Sequence, residues 1–330
     1  MVRAVVDIAT PWKHYPSPGL CIYCGRKAVP LTKEHIIAYG LAADSLVFRK
    51  ASCRKCQDAG RDNETRVLRH MWWPFRAHIN APTRHRGQTP ETFTMMRTAP
   101  GAVVDGRIPP KPDLVDQIPL NDYPLFYYAF SFKAPGIIAD RPPHQDKEEP
   151  FFLADMESLK THVGDKQAIR LGPGNWEAFC LMLAKIAHAY AAAELGVDSF
   201  NPSLTLAIQA KAPSRLLYWI GCTDEAFTKP SASLHEIGLR LREIRGARYV
   251  AAHIRLFACI GTPTYEIIVG ELKPSFDKFS LLEKPIYCIE VKTPLPLGKL
   301  VPIVDVTGLT GGEIDKLSEK DAGEIPDGRG

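Results

Sequence analysis

Two Cys-x-x-Cys pairs, Cys21/Cys24 and Cys53/Cys56, constrain this chain more than any other feature. Four thiolates at that spacing close a tetrahedral zinc site, each pair forming a short knuckle on one ion. The 28 residues between Cys24 and Cys53 are then held as a closed loop. That interval is too long for a minimal zinc ribbon and has room for an extra strand and loop. Inside it lies Leu31-Thr32-Lys33-Glu34-His35-Ile36-Ile37-Ala38-Tyr39-Gly40, which sets a carboxylate beside an imidazole. The other four cysteines, Cys180, Cys222, Cys259 and Cys288, are scattered singly among apolar neighbours and read as buried free thiols in a reducing compartment.

The chain has 330 residues, 45% hydrophobic and 24% charged, which suits a globular protein with a sizeable core and length for two domains. No run of about 18 apolar residues is evident, so no membrane-spanning helix is expected. Asp7 interrupts the only apolar stretch at the N-terminus, which argues against a secretory signal and for a cytoplasmic protein. The net charge of +4 conceals an asymmetry. Residues 1–90 hold 15 Lys and Arg against 6 Asp and Glu, and the remainder 26 against 31. A basic first part joined to a mildly acidic second part points to a polyanion partner for the first alone. Small zinc modules are also often basic without any catalytic reason.

The chain divides into a lead-in over 1–20, a zinc module over 21–86 whose end is set by the family resemblance given below, a linker and β-rich wrap over 87–170, and an α+β domain over 171–330, residues 79–124 being rich in Pro, Thr and Arg. Within the module, Pro30 to Ile37 and Leu46 to Phe48 read as strands, with a loop over Gly40 to Ser45. A polar helix follows over Asn63 to Trp72, capped by Asp62 or Asn63, with Gly60 breaking or kinking the join. A hairpin is expected around Phe93–Met96 and Ala102–Arg107, a strand over Leu125 to Phe132 and a loop over Pro142 to Pro150. The clearest long helix runs from Asn175 to Leu195 and stops at Gly196. Strand-like runs at Leu216–Gly221, Tyr249–Cys259 and Thr264–Val269 suggest a sheet packed on it, and the tail after Gly308 reads as frayed. His188 and His253 fall among apolar neighbours and read as structural. Trp72-Trp73 reads as core, with base stacking as the alternative.

Glu34 can offer a hard oxygen to Mg²⁺ or Mn²⁺, and His35 is the side chain suited to deprotonating water near neutral pH. Neighbours on a strand point to opposite faces, so a kink at the strand end is needed for both to serve one site. Gln57 and Glu64, seven positions apart, share a face if the helix is continuous. Arg54, Arg61, Arg69, Arg76, Arg84 and Arg86 are candidates for holding a phosphodiester backbone.

Cys21-x-x-Cys24, Glu34-His35, Cys53-x-x-Cys56-Gln57 and the helix after them resemble the HNH endonucleases of the ββα-metal type, in the subset with zinc knuckles on both sides. The resemblance covers residues 21–86, with a fainter likeness to uncharacterised bacterial HNH proteins over 175–202. It implies an α+β protein whose small zinc-stapled ββα-metal module precedes a larger mixed α/β domain. It implies Glu34 as a catalytic-metal ligand and His35 as general base. Gln57 stands where the family has a metal-binding Asn, which is a departure, and Glu64 is the alternative ligand on the same helix. The expected activity is metal-dependent hydrolysis of phosphodiester bonds in nucleic acid, DNA first, with structural Zn²⁺ and catalytic Mg²⁺ or Mn²⁺. No membrane partner is expected, and the C-terminal domain is available for target choice or oligomer contacts. The competing expectation is a zinc-bearing module that grips nucleic acid without cutting it, joined to a sensing or interaction domain. Gln57 is its best support. The C-terminal domain shows no P-loop, nucleophile elbow or paired-acid motif.

Overall fold

The computed structural model describes residues 6–84, 90–99, 114–142, 148–163, 168–170, 174–210, 215–223, 228–292, 300–304 and 309–310. The fold is α+β. Its first sheet holds β1 (Lys13–Tyr15), β2 (Leu31–His35) and β3 (Leu46–Cys53) in the order β1-β3-β2, with β1 parallel and β2 antiparallel to β3. Between β2 and β3 the chain forms a short helix, α1 (Tyr39–Ala42), where a loop was expected. Ile36, Ile37, Ala38, Leu41 and Ala42 are all buried, so apolar burial draws this segment onto the core.

β3 carries a bulge. Thr32 pairs with Ser52 and Glu34 with Phe48, so Lys33 alone opposes Arg49, Lys50 and Ala51, and Lys50 takes a left-handed φ of 45°. A bulge breaks simple alternation and re-aims side chains. It supplies the irregularity that lets Glu34 and His35 serve one site.

The helix after the second knuckle is longer than its periodicity suggests. α2 (Arg54–Thr65) starts directly after Cys53, continues as a π-helical turn over Arg66–Met71, and is followed by α3 (Trp73–His78). Asp62 and Asn63 lie inside α2 and cap nothing at its start, and Gly60 does not break it. Packing explains this glycine. A Cβ at Gly60 would lie 3.1 Å from Cδ and 3.2 Å from Cε of Lys185. Gly60→Ala should therefore fail to show the gain of about 1 kcal/mol usual for removing a helical glycine. Gly60→Val should lose about 1–3 kcal/mol, measured by chemical denaturation.

The central segment contributes two small sheets. β4 (Thr92–Arg97) and β5 (Leu114–Pro119) form one with β8 (Ala168–Arg170) and β16 (Leu309–Thr310); β6 (Phe126–Phe132) and β7 (Glu148–Asp155) form the other with β15 (Leu300–Val304). The expected partner strand at Ala102–Arg107 lies outside the described residues, and β4 pairs with β5. Residues 148–150 of the expected loop belong to β7. Short helices α4 (Gly136–Ala139) and α5 (Met156–Lys160) connect these strands.

The largest sheet is built on the long helix α6 (Trp176–Leu195). Asn175 caps α6 by accepting from the Ala178 amide at 2.8 Å, and Gly196 ends it at φ 92°. After β9 (Phe200–Pro202), α7 (Thr205–Ile208) and α8 (Leu216–Trp219) come β10 (Ile220–Cys222), β11 (Ser233–Ile244), β12 (Ala247–Leu256), β13 (Tyr265–Leu272) and β14 (Tyr287–Glu290). They order as β10-β13-β12-β11-β14, with β9 on β13. The strand expected over Leu216–Gly221 divides into α8 and β10, and β11 was not anticipated. The tail after Gly308, apart from β16, lies outside the described residues. By length and composition α6 could cross a membrane, contrary to the expectation from the sequence, but most of it is buried inside this fold.

One apolar core joins the zinc module to the C-terminal sheet. Trp72, fully buried, stacks on Tyr127 and meets Phe179 and Phe257 edge-on, so it is core. Two buried histidines from the C-terminal half tie the module down. His188 Nε2 donates to the Ile22 carbonyl at 2.8 Å inside the first knuckle, and His235 Nε2 to the Leu41 carbonyl at 3.3 Å. Burial pushes both imidazoles down to about 4, their carbonyl partners offsetting only part of that. A histidine held neutral in the fold but titrating near 6.5 when unfolded binds its proton in the unfolded state first. Stability is therefore lost as pH falls from about 6.5 towards 4. The pair should cost about 4 kcal/mol between pH 7 and pH 5 in denaturant titrations, with His188→Gln removing about half of that difference.

Candidate metal centre and active-site cleft

The ligand atoms of Cys21, Cys24, Cys53 and Cys56 lie within 4.8 Å of one another. Cys24 Sγ and Cys53 Sγ are 3.8 Å apart, close to the edge of a tetrahedron of about 2.3 Å Zn–S bonds. An all-thiolate, largely buried quartet fits zinc. Arg26 donates to Cys24 Sγ through Nε and to Cys53 Sγ through Nη2, each at 3.4 Å, offsetting thiolate charge. Burial raises the Cys24 thiol, but hydrogen bonds from the Arg26 side chain and backbone outweigh it and bring it down to about 6.

Beside this centre opens a cleft of about 530 Å³. Its walls bring together Glu34 and His35 from the end of β2, Tyr39 and Gly40 from α1, and Arg54, Gln57, Arg61 and Glu64 from α2. Arg69, Arg76, Arg84 and Lys185 complete the set. Arg86 lies outside the described residues.

His35 is mostly buried, and its Nε2 lies 2.9 Å from Asp44 Oδ1, which also accepts from Lys33 Nζ at 2.8 Å. Asp44 can only accept when ionised, and Arg84 Nη2, 3.5 Å from the same Nε2, can only donate; the shorter Asp44 contact sets the proton on Nε2 and leaves Nδ1 as the basic nitrogen. Burial lowers the His35 pKa, helped by the charges of Lys33 and Arg84 and opposed by Asp44. Hydrogen bonds, that from Lys33 foremost, hold the Asp44 carboxyl below its usual range. The result at neutral pH is an uncharged imidazole oriented by a carboxylate. Its ring meets Tyr39 edge-on at 5.6 Å, and the Arg84 guanidinium lies over the Tyr39 face at 4.6 Å.

Glu34 is 2% exposed and pairs through Oε1 with Lys185 Nζ. Glu64 Oε1 lies 2.7 Å from the same Nζ, and the His35 carbonyl oxygen 3.3 Å. An ammonium has three N–H donors, and here each has an acceptor. Burial alone lowers the Lys185 pKa, but the two carboxylates outweigh it and hold the side chain charged. Among the described residues neither Glu34 Oε2 nor the Tyr23 hydroxyl, both buried, has a hydrogen bond of good geometry, although the two side chains are neighbours and the Glu34 carboxylate helps burial to raise the Tyr23 phenol.

This arrangement bears directly on the expected Mg²⁺ or Mn²⁺. Glu34 and Glu64 do converge, but on the ammonium of Lys185. Oε1 of each carboxylate is already engaged by the ammonium, so a divalent ion would have to displace Lys185 from both or share them against its like charge. As placed, these residues do not fit a catalytic divalent ion.

Two further expectations change. Gln57 staples the helix to the strand: Oε1 accepts from Thr32 Oγ1 and Nε2 donates to the Lys33 carbonyl, both at 3.3 Å. Its Nε2 is engaged by the strand, while the Thr32 hydroxyl, which has one proton, also reaches the Ser52 carbonyl at the shorter 3.0 Å, so Oε1 is held only in part. Arg76 is 5% exposed and donates to the carbonyls of Gly40, Leu68 and Pro82. It is a structural clamp, not a phosphate contact. Arg54 and Arg61 pair with Asp58 but remain exposed at the cleft edge, as does Arg69.

Sequence reasoning missed Asp44 and Lys185. Asp44 stands nine residues after His35, just ahead of β3. Lys185 is a charged residue in the middle of a largely apolar helix whose other charges, Glu177 and Glu194, stand near its ends, a pattern that calls for a buried counter-charge. No family model matches this chain, and no curated protein or solved structure matches it significantly.

Proposed function

We propose that this protein hydrolyses phosphodiester bonds in nucleic acid, DNA first, as an HNH-type endonuclease with His35 as general base. The observation that supports it most is His35, oriented by Asp44 at 2.9 Å, on the wall of a cleft lined with arginines. Arg69 and Arg84, with Arg54 and Arg61 at the edge, hold the backbone and offset the charge on the non-bridging phosphoryl oxygens in the transition state. A water at Nδ1 attacks phosphorus while Nδ1 takes its proton. The P–O bond to the leaving sugar oxygen breaks with its electron pair, and that oxygen is protonated from solvent. Only the neutral imidazole acts, so the rate rises with pH through the His35 pKa and then levels, with its acid limb below pH 6.5. Supercoiled plasmid incubated with zinc-loaded protein, beside His35→Ala, tests the reading. A second reading, binding without cleavage, is favoured by the engagement of Glu34 and Glu64 with Lys185. It expects equal DNA binding by both proteins and cleavage by neither.

A further inference from the structure

We propose that Lys185 is the resident cation of this cleft, a positioning residue that does the organising a divalent ion would otherwise do, so that the Glu34/Glu64 pair takes no Mg²⁺ or Mn²⁺. The claim about ion binding stands without the hydrolase reading, and only its consequence for cleavage rests on it. Three observations converge. Lys185 Nζ has a distinct acceptor for every N–H: two carboxylates and the His35 carbonyl. Its side chain is 6% exposed, and its stem passes over Gly60, where any Cβ would crowd it. The packing of the stem against Gly60 and the three acceptors around Nζ together oppose its moving into the cleft to make room for an ion. By gripping the His35 carbonyl and the neighbouring Glu34 together, one side chain from α6 fixes the strand end that presents the base.

The same contact makes the cleft a joint product of two distant parts of the chain. Lys185 lies 150 residues after His35. A module excised at residue 86 has no cation between its carboxylates.

The test is a Mn²⁺ titration of full-length, zinc-loaded protein in metal-depleted buffer, followed by the electron paramagnetic resonance signal of free Mn²⁺. Wild type should take up no Mn²⁺ at the cleft at submillimolar concentrations. Lys185→Met keeps the length of the side chain, removes its charge and frees both carboxylates. That variant should bind one Mn²⁺ at least tenfold more tightly than wild type, and Mn²⁺ should raise its melting temperature but not that of wild type. Adding Glu34→Gln to Lys185→Met should abolish both effects. One Mn²⁺ bound by wild type and lost in Glu34→Gln overturns the proposal, as does a Lys185→Met variant that folds and gains no affinity. If Lys185→Met does not fold, the comparison of wild type with Glu34→Gln still decides. Cleavage by wild type at the same rate with and without added Mg²⁺ supports the proposal, and cleavage only with it opposes it. Absence of cleavage under every condition counts against the hydrolase reading, while the titration still decides this one.

Discussion

His35→Ala should reduce plasmid nicking by about 10²–10⁴-fold, the range a positioned general base supplies. Its zinc content and melting temperature should stay close to those of wild type. The substitution removes a ring at the cleft wall, and the zinc thiolates lie outside its contacts. The comparison is therefore one of chemistry and not of folding. Asp44→Asn gives a more selective result. It keeps the shape but lets the partner of Nε2 donate, which favours the tautomer with the proton on Nδ1, the wrong atom for a base. A fall in rate with unchanged DNA affinity is expected. Equal nicking by wild type and His35→Ala, with contaminating nuclease excluded, removes His35 from the reaction. Equal binding with no nicking by either assigns the cleft to recognition alone.

The zinc module was legible because cysteine spacing is local and its chemistry demanding: few other arrangements use two Cys-x-x-Cys pairs around one strand-loop-strand. Glu34, His35 and Glu64 do come together in one cleft, carried there by β2 and α2. The bulge that aims Glu34 and His35 was not legible, because it depends on register with β3 and on a left-handed Lys50. Arg76 looked like its neighbours in sequence, and only the fold shows its guanidinium spent on three carbonyls. The position of Gln57 directly after Cys56 suggests a ligand, whereas in the fold its side chain lies between Thr32 and the Lys33 carbonyl. Lys185 was the largest omission. The apolar periodicity of α6 correctly signalled a buried helix, but it says nothing about which distant carboxylates a charged residue on that helix will meet. The boundary at residue 86 follows the extent of the family resemblance, whereas the apolar core runs from the N-terminal sheet into the C-terminal one.

That shared core sets the consequence of losing zinc. Cys53→Ser should abolish stoichiometric zinc binding and lower the melting temperature by more than about 10 °C, because 1 kcal/mol is worth only about 2–4 °C in a protein of this size class. Structural zinc contributes about 10–16 kcal/mol of apparent binding free energy in small zinc modules, comparable to the whole stability of many domains. Here the effect should not stop at the knuckles. Cys21, Cys53 and Cys56 belong to the same buried cluster as α6 and the large sheet. The C-terminal half bonds directly to the first knuckle, through His188 to the Ile22 carbonyl and through Gln209 Nε2 to the Tyr23 carbonyl at 2.6 Å. When the knuckle loosens, His188 loses its acceptor and Lys185 its carboxylates, leaving a buried imidazole and a buried ammonium unpaired. A buried charge stripped of its partner costs about 3–5 kcal/mol, so the C-terminal half is destabilised in the same step. Calorimetry of the zinc-loaded protein should accordingly show one transition, displaced as a whole in Cys53→Ser or after chelation. A variant in which an early transition disappears while a later one keeps its midpoint would show that the C-terminal sheet folds on its own, and that the contacts made by Lys185 and His188 are adhesive rather than integral.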